Sequence, residues 1–156
     1  MALACIPFPT SYFWHCMWSI VAYLAHSVGD VRVALESQVR AIDTFHQLRA
    51  SVWVGVSLRS LAIVLGDDAP EEVAVLHGWA DAHTPDVSMF PRFEVVHLAL
   101  IEAVNQILGV PRADQLRMEG AAMSEDEIVR YANEAIQRAL ARLDRAEQLR
   151  ARDPTG

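Results

Sequence analysis

Tyr23-Leu24-Ala25-His26-Ser27-Val28-Gly29-Asp30 and Ser60-Leu61-Ala62-Ile63-Val64-Leu65-Gly66-Asp67 read as two versions of one phrase, with Leu, Ala, Gly and Asp in register and Val28 opposite Leu65. A glycine after an apolar run ends a helix at low steric cost. An aspartate just beyond it offers a carboxylate to the free amides of the next helix. The phrase therefore predicts helix, stop and new helix, twice over.

Working outward, the first helix runs from Tyr12 to Val28, and the second from Val31 to Leu48. In the second, Leu35, Val39, Ile42 and His46 share one stripe with Phe45 beside it, while Glu36, Arg40, Asp43 and Gln47 share another. That segregation has the helical period, and Glu36–Arg40 is a favourable i,i+4 pair. The third helix, Val52 to Leu65, is apolar nearly all round and belongs between neighbours. Asp67 and Asp68 follow Gly66, and Pro70, Glu71 and Glu72 open a fourth helix that reaches Ala82.

His83 to Pro91 is a break marked by Pro85 and Pro91. A fifth helix spans Arg92 to Leu108, its polar residues Glu102, Asn105 and Gln106 clustered beside a broad apolar face. Gly109 and Pro111 end it, and a short helix covers Ala113 to Met118, closed by Gly120. Ser124-Glu125-Asp126-Glu127 is a capping box opening a last helix to Arg150, with Ile128, Ala132, Ala135, Ile136, Ala139, Leu140 and Leu143 on its apolar side and Asp126–Arg130 and Glu134–Arg138 as i,i+4 pairs. The expected organisation is an irregular lead-in, 1–11, a single all-α domain, 12–150, and a flexible tail, 151–156.

The 156 residues are 53% hydrophobic and 21% charged, which favours one domain with a real core over disorder. All 13 basic residues are Arg and the formal net charge is -7. An acidic chain without a basic cluster is poorly suited to phosphate backbones, so nucleic-acid binding by this segment alone is not expected. Cys5 and Cys16 lack C-x-x-C spacing and are read as reduced, in a cytoplasmic protein. The first charged residue is Asp30, and Tyr12 to Val28, about 17 residues, approaches the length of a membrane span. His15, Ser19 and His26 interrupt it, and no Arg precedes it. A buried helix is the favoured reading and a membrane or targeting segment the alternative.

The spacing of the two phrases is close to the roughly 34-residue tetratricopeptide period. Helix pairs of that kind cannot hide their apolar faces alone and stack on their neighbours, which predicts tetratricopeptide-like stacked hairpins with a C-terminal capping helix. The chain resembles the tetratricopeptide-like C-terminal helical region of large actinobacterial regulators. The resemblance spans about residues 12 to 143. It rests on Gly29-Asp30 and Gly66-Asp67, on the stretch Ala74 to Ala82, and most specifically on Met118-Glu119-Gly120-Ala121-Ala122-Met123-Ser124-Glu125-Asp126-Glu127. Members of that family join a nucleotide-binding ATPase core to the helical region, some with a cyclase domain in front and others with a LuxR-type helix-turn-helix behind. This sequence departs from them: it has no G-x-x-x-x-G-K-[ST] loop, no helix-turn-helix after Leu143, and Trp79 where a small residue is usual. The resemblance implies a scaffold or sensor segment in bacterial signalling and transcription regulation.

No catalytic constellation is legible. His15, His26, His46, His77, His83 and His97 show no metal-ligand spacing and read as surface or satisfied core residues. His15 and Cys16 are adjacent on a helix and cannot face each other. Asp67, Asp68, Glu71 and Glu72 read as capping and dipole complements rather than a cation site. Ser57 and Ser60 read as small residues at a helix contact, and Trp14, Trp18, Trp53 and Trp79 as packing residues. The expected function is non-enzymatic and cofactor-free: protein–protein interaction or self-association, with a homodimer through the first helix as one form. Glu36, Arg40, Asp43 and Gln47 form the candidate interaction surface, a solvated face being the plainer reading of them. The alternatives are a small-molecule sensor with a pocket between the third and fifth helices, or membrane association through 12–28.

Overall fold

The computed structural model describes residues 21–22, 24–84 and 91–152, with the backbone alone for 91–94. Every regular element among them is helical: α1, described at 21–22 and 24–27; α2, Val31–Gln47; α3, Ser51–Leu65; a 3-10 turn, Gly66–Asp68; α4, Pro70–His83; α5, Pro91–Leu108; α6, Val110–Ala121; and α7, Glu125–Arg152. The protein is all-α, as the periodicity predicts. The lead-in 1–11, most of the apolar stretch 12–28, and Trp14, Trp18, His15 and both cysteines lie outside the described residues.

The two Gly-Asp junctions begin alike and end differently. Gly29 and Gly66 both take the left-handed backbone, φ 83° and 64°, which only glycine enters freely. Asp30 then caps α2, its carboxylate accepting from the Val33 amide at 3.1 Å. Asp67 caps nothing. The second junction tightens into the 3-10 turn, and α4 starts from Ala69 with no side-chain cap. Pro70 opens α4 in its place, where the missing N–H is no loss. Between α2 and α3 a non-glycine residue, Arg49, takes the left-handed conformation at φ 53°.

Gly109 and Pro111 do not act as one terminator. Gly109, φ 77°, precedes α6, and Pro111 lies in the first turn of that helix. The helix expected over Ala113 to Met118 therefore extends to Val110–Ala121. The capping box forms as read: Ser124 N donates to Glu127 Oε2 at 2.8 Å and Glu127 N donates to Ser124 Oγ at 3.3 Å. The Ser124 amide, and then the Ser124 hydroxyl, which donates to the same Oε2 at 2.8 Å, hold the Glu127 carboxyl below its ordinary value.

Consecutive helices α2, α3 and α4 pack against one another. Short links make such neighbours antiparallel. Helix α3 is the central slab, its residues Val54, Leu58, Leu61, Ala62, Val64 and Leu65 all in the core. A buried hydrogen bond, Gln38 Nε2 to Ser60 Oγ at 2.6 Å, ties it to α2. Beyond α4 the order changes. The most extensive partner of α4 is α6, not its successor α5. A Cβ on Gly78 would overlap the Arg117 carbonyl, and one on Gly120 would overlap the Val75 carbonyl. The crossing is reciprocal and antiparallel, backbone on backbone. Helix α7 then runs back across α2, α3 and α4, so its face of Ile128, Ala132, Ala135, Ile136 and Ala139 closes the same core that Leu35, Phe45, Leu61 and Trp79 fill.

Candidate functional site

The polar stripe of α2 does not stand free. Glu36, Arg40 and Gln47 are exposed, and Asp43 is half-buried. Asp43 Oδ1 accepts from Asn133 Nδ2 of α7 at 2.8 Å. One turn on, His46 lies between two α7 carboxylates, Nδ1 at 2.9 Å from Glu125 and Nε2 at 3.0 Å from Asp126, and Ser51 Oγ donates to Glu125. At the other end Arg32 reaches Asp144 at 2.6 Å and Glu147 at 3.3 Å. The two helices thus lie antiparallel along a polar seam, and Asp43, read as part of a docking surface, belongs to that seam. Outside it, Asp126, Val129, Arg130, Asn133, Glu134, Gln137 and Arg138 line an open furrow on α7. This furrow meets the α2 stripe at the Asn133–Asp43 bond.

The acidic cluster at 67–72 resolves into different roles. Asp67 and Asp68 are exposed, while Glu71 pairs with Arg112 of α6 at 3.0 Å and Glu72 with Arg138 of α7 at 3.2 Å. The pair Glu134–Arg138 forms at 3.9 Å. No group of three His, Cys, Asp or Glu side chains among the described residues is arranged to hold a metal ion. Trp79 is buried at the centre of the core and stacks on His83 at 4.5 Å. Trp53 is half-buried and stacks on Phe45 at 5.7 Å.

Two histidines that the linear reading kept apart meet in space. His97 Nε2 of α5 lies 3.1 Å from His77 Nδ1 of α4. His77 Nε2 lies 3.3 Å from Asp81 Oδ2 one turn along its own helix, and Asp81 Oδ1 is 3.1 Å from Arg59 Nη2 of α3. Arg59 also donates to the Thr84 and Ala80 carbonyls at 2.9 and 3.3 Å, closing the end of α4. Burial pushes the His77 pKa below 6.5; Asp81 works against that shift, and the Arg117 and Arg59 guanidinium groups add to it. The i,i+4 spacing of His77 and Asp81 was the available sequence signal; His97, twenty residues on, gave none.

Helix α5 carries several exposed apolar side chains. Val95 is 69% exposed, Leu98 60%, Ile107 54% and Val96 48%, with Val110 beyond them at 55%. Glu102 is the one charged side chain from Val95 to Val110. Its inward residues Val104, Leu100 and Ile101 pack on the core. The expected broad apolar face is thus only partly hidden. Among the described residues no helix is long and apolar enough to cross a membrane. Comparison with protein-family models, curated proteins and solved structures gives no match for this chain.

Proposed function

We propose that this chain is a non-enzymatic, tetratricopeptide-like helical module for protein–protein interaction or self-association, working without a cofactor in bacterial cytoplasmic signalling or transcription regulation. The setting comes from the resemblance around Met118 to Glu127. The stacked-hairpin reading draws support from the α2–α3–α4 succession. In that reading α7 is the cap, and it covers the stack lengthwise rather than only at its end.

The observation that carries the docking role is the α5 surface. Neighbouring exposed apolar side chains, as Val95 and Leu98 are at i,i+3 on α5, mark interaction sites more often than isolated ones do. Val95 and Leu98 are branched aliphatic side chains suited to filling a partner's pocket, and Glu102 and Gln106 follow on the same exposed face one and two turns on.

The test is sedimentation and light scattering of the full chain across concentration, beside the double variant Val95→Glu, Leu98→Glu. The expected outcome is association in the wild type, with itself or with an added partner, that the variant loses while keeping its helical spectrum. A wild-type chain that stays monomeric, captures no partner and binds no apolar dye overturns the docking role.

A further inference from the structure

Helix α5 packs against α4, α6, α3 and the 3-10 turn, yet leaves Val95 and Leu98 outside. Its polar link to α4 is the contact between His77 and His97, whose rings meet edge to face at 4.9 Å. Gly109, φ 77°, joins α5 to α6, and α6 is itself anchored to α4 by the reciprocal glycine crossing. We propose that the His77–His97 contact is a proton-sensitive clasp, which holds α5 against α4 while both rings are neutral and loosens it when His77 takes up a proton. This goes beyond the docking role and does not depend on it.

Donors and acceptors fix the tautomer of each ring. A carboxylate only accepts, so Asp81 takes the proton on His77 Nε2. A neutral imidazole has one N–H, which leaves His77 Nδ1 as an acceptor. His97 Nε2 must then bring the N–H to close the 3.1 Å contact. One tautomer of each ring satisfies both bonds, and Asp81 selects it.

With the His97 proton on Nε2, a further proton on His77 Nδ1 sets N–H against N–H and removes the bond. A charge on His97 instead falls on a residue only 6% exposed. The surroundings resist a charge on His77. Facing His77 are Arg59 from α3, Arg117 from α6, His97 from α5 and, alone in favouring the cation, Asp81 from α4. Arg117 is itself held by Asp114 at 2.6 Å and by Asn105 of α5. Because the folded-state pKa of His77 is lowered, the neutral clasp contributes fully above about pH 6.5, the ordinary histidine value. Its contribution declines as the pH falls from there through the lower folded value.

The experiment is amide hydrogen exchange on the full chain at pH 7.5 and pH 5.0, corrected for intrinsic rates, together with an NMR titration of the histidine Cε1 protons. The wild type is expected to show α5 amides exchanging about fivefold faster or more at the lower pH, the effect of one lost hydrogen bond, with α2 and α3 unchanged. The His77 resonance should move over the same pH range. In His77→Gln the side-chain oxygen still accepts from His97 but does not titrate, so α5 should keep its protection at pH 5.0. Equal α5 exchange at the two pH values overturns the proposal, as does an equal acid response in His77→Gln. Should that variant not fold, the wild-type titration decides: His77 changing state without any change in α5 also overturns it.

Discussion

The crossing of α4 with α6 and the seam of α2 with α7 join helices by opposite means. In the first, Gly78 and Gly120 remove side chains so that each helix backbone lies on the other. In the second, polar side chains span the gap: Asn133 to Asp43, His46 to Glu125 and Asp126, Arg32 to Asp144 and Glu147. A backbone contact has no rotamers with which to adjust, whereas half-exposed polar side chains have many. The crossing should therefore be intolerant of change and the seam forgiving, although both join distant parts of the sequence.

The sharpest way to break this contrast is Gly78→Ala. The added methyl has only the Arg117 main chain to displace, and the expected loss is about 2–3 kcal/mol of unfolding free energy, the cost of overpacking a filled site, read by urea denaturation. A loss below ~0.5 kcal/mol would mean that the helices simply slide apart. In the seam, Asn133→Ala removes the bond to Asp43 and should cost about 1 kcal/mol. A double-mutant cycle with Asp43→Ala checks that this loss belongs to the pair. Smallest is Arg138→Ala. Its pair with Glu72 spans 3.2 Å, but the Arg138 side chain is 45% exposed, so the expected change stays within roughly 0.5 kcal/mol and shrinks further in high salt. A seam variant costing as much as the glycine change would show that the polar contacts, and not the crossing, set the geometry of the bundle.

The elements were legible where a local rule sufficed. Alternation at the helical period located α2 and α7, the Ser124–Glu127 box marked the start of α7, and Gly29-Asp30 marked the turn into α2, because caps and amphipathic faces act over one or two turns. The same local reasoning misjudged Asp67. A Gly-Asp pair identical to its earlier copy was followed by Asp68, Ala69 and Pro70, and the proline shifted the cap position out of its reach. Arg49 carried no signal at all, since the usual mark of a left-handed helix end is glycine, and here the chain turns without one.

The candidate surface was legible in composition and not in place. Glu36, Arg40, Asp43 and Gln47 do form one stripe, but only the return of α7 determines that Asp43 is engaged by Asn133. The His77–His97 contact was hidden for the same reason: neither residue is unusual among its sequence neighbours.

By itself, the sequence determined an all-helical chain with some of its helix ends, its most buried helix and its acidic, lysine-free composition, because those properties follow from hydrophobic period, capping chemistry and charge along the chain. Which helix lies beside which was decided only in three dimensions. Apolar faces are interchangeable in sequence, since one stripe of Ala, Val and Leu can cover another almost anywhere. The choice among partners is made by shape, by a glycine that lets α6 approach α4, and by polar side chains that find one another only after the core has closed.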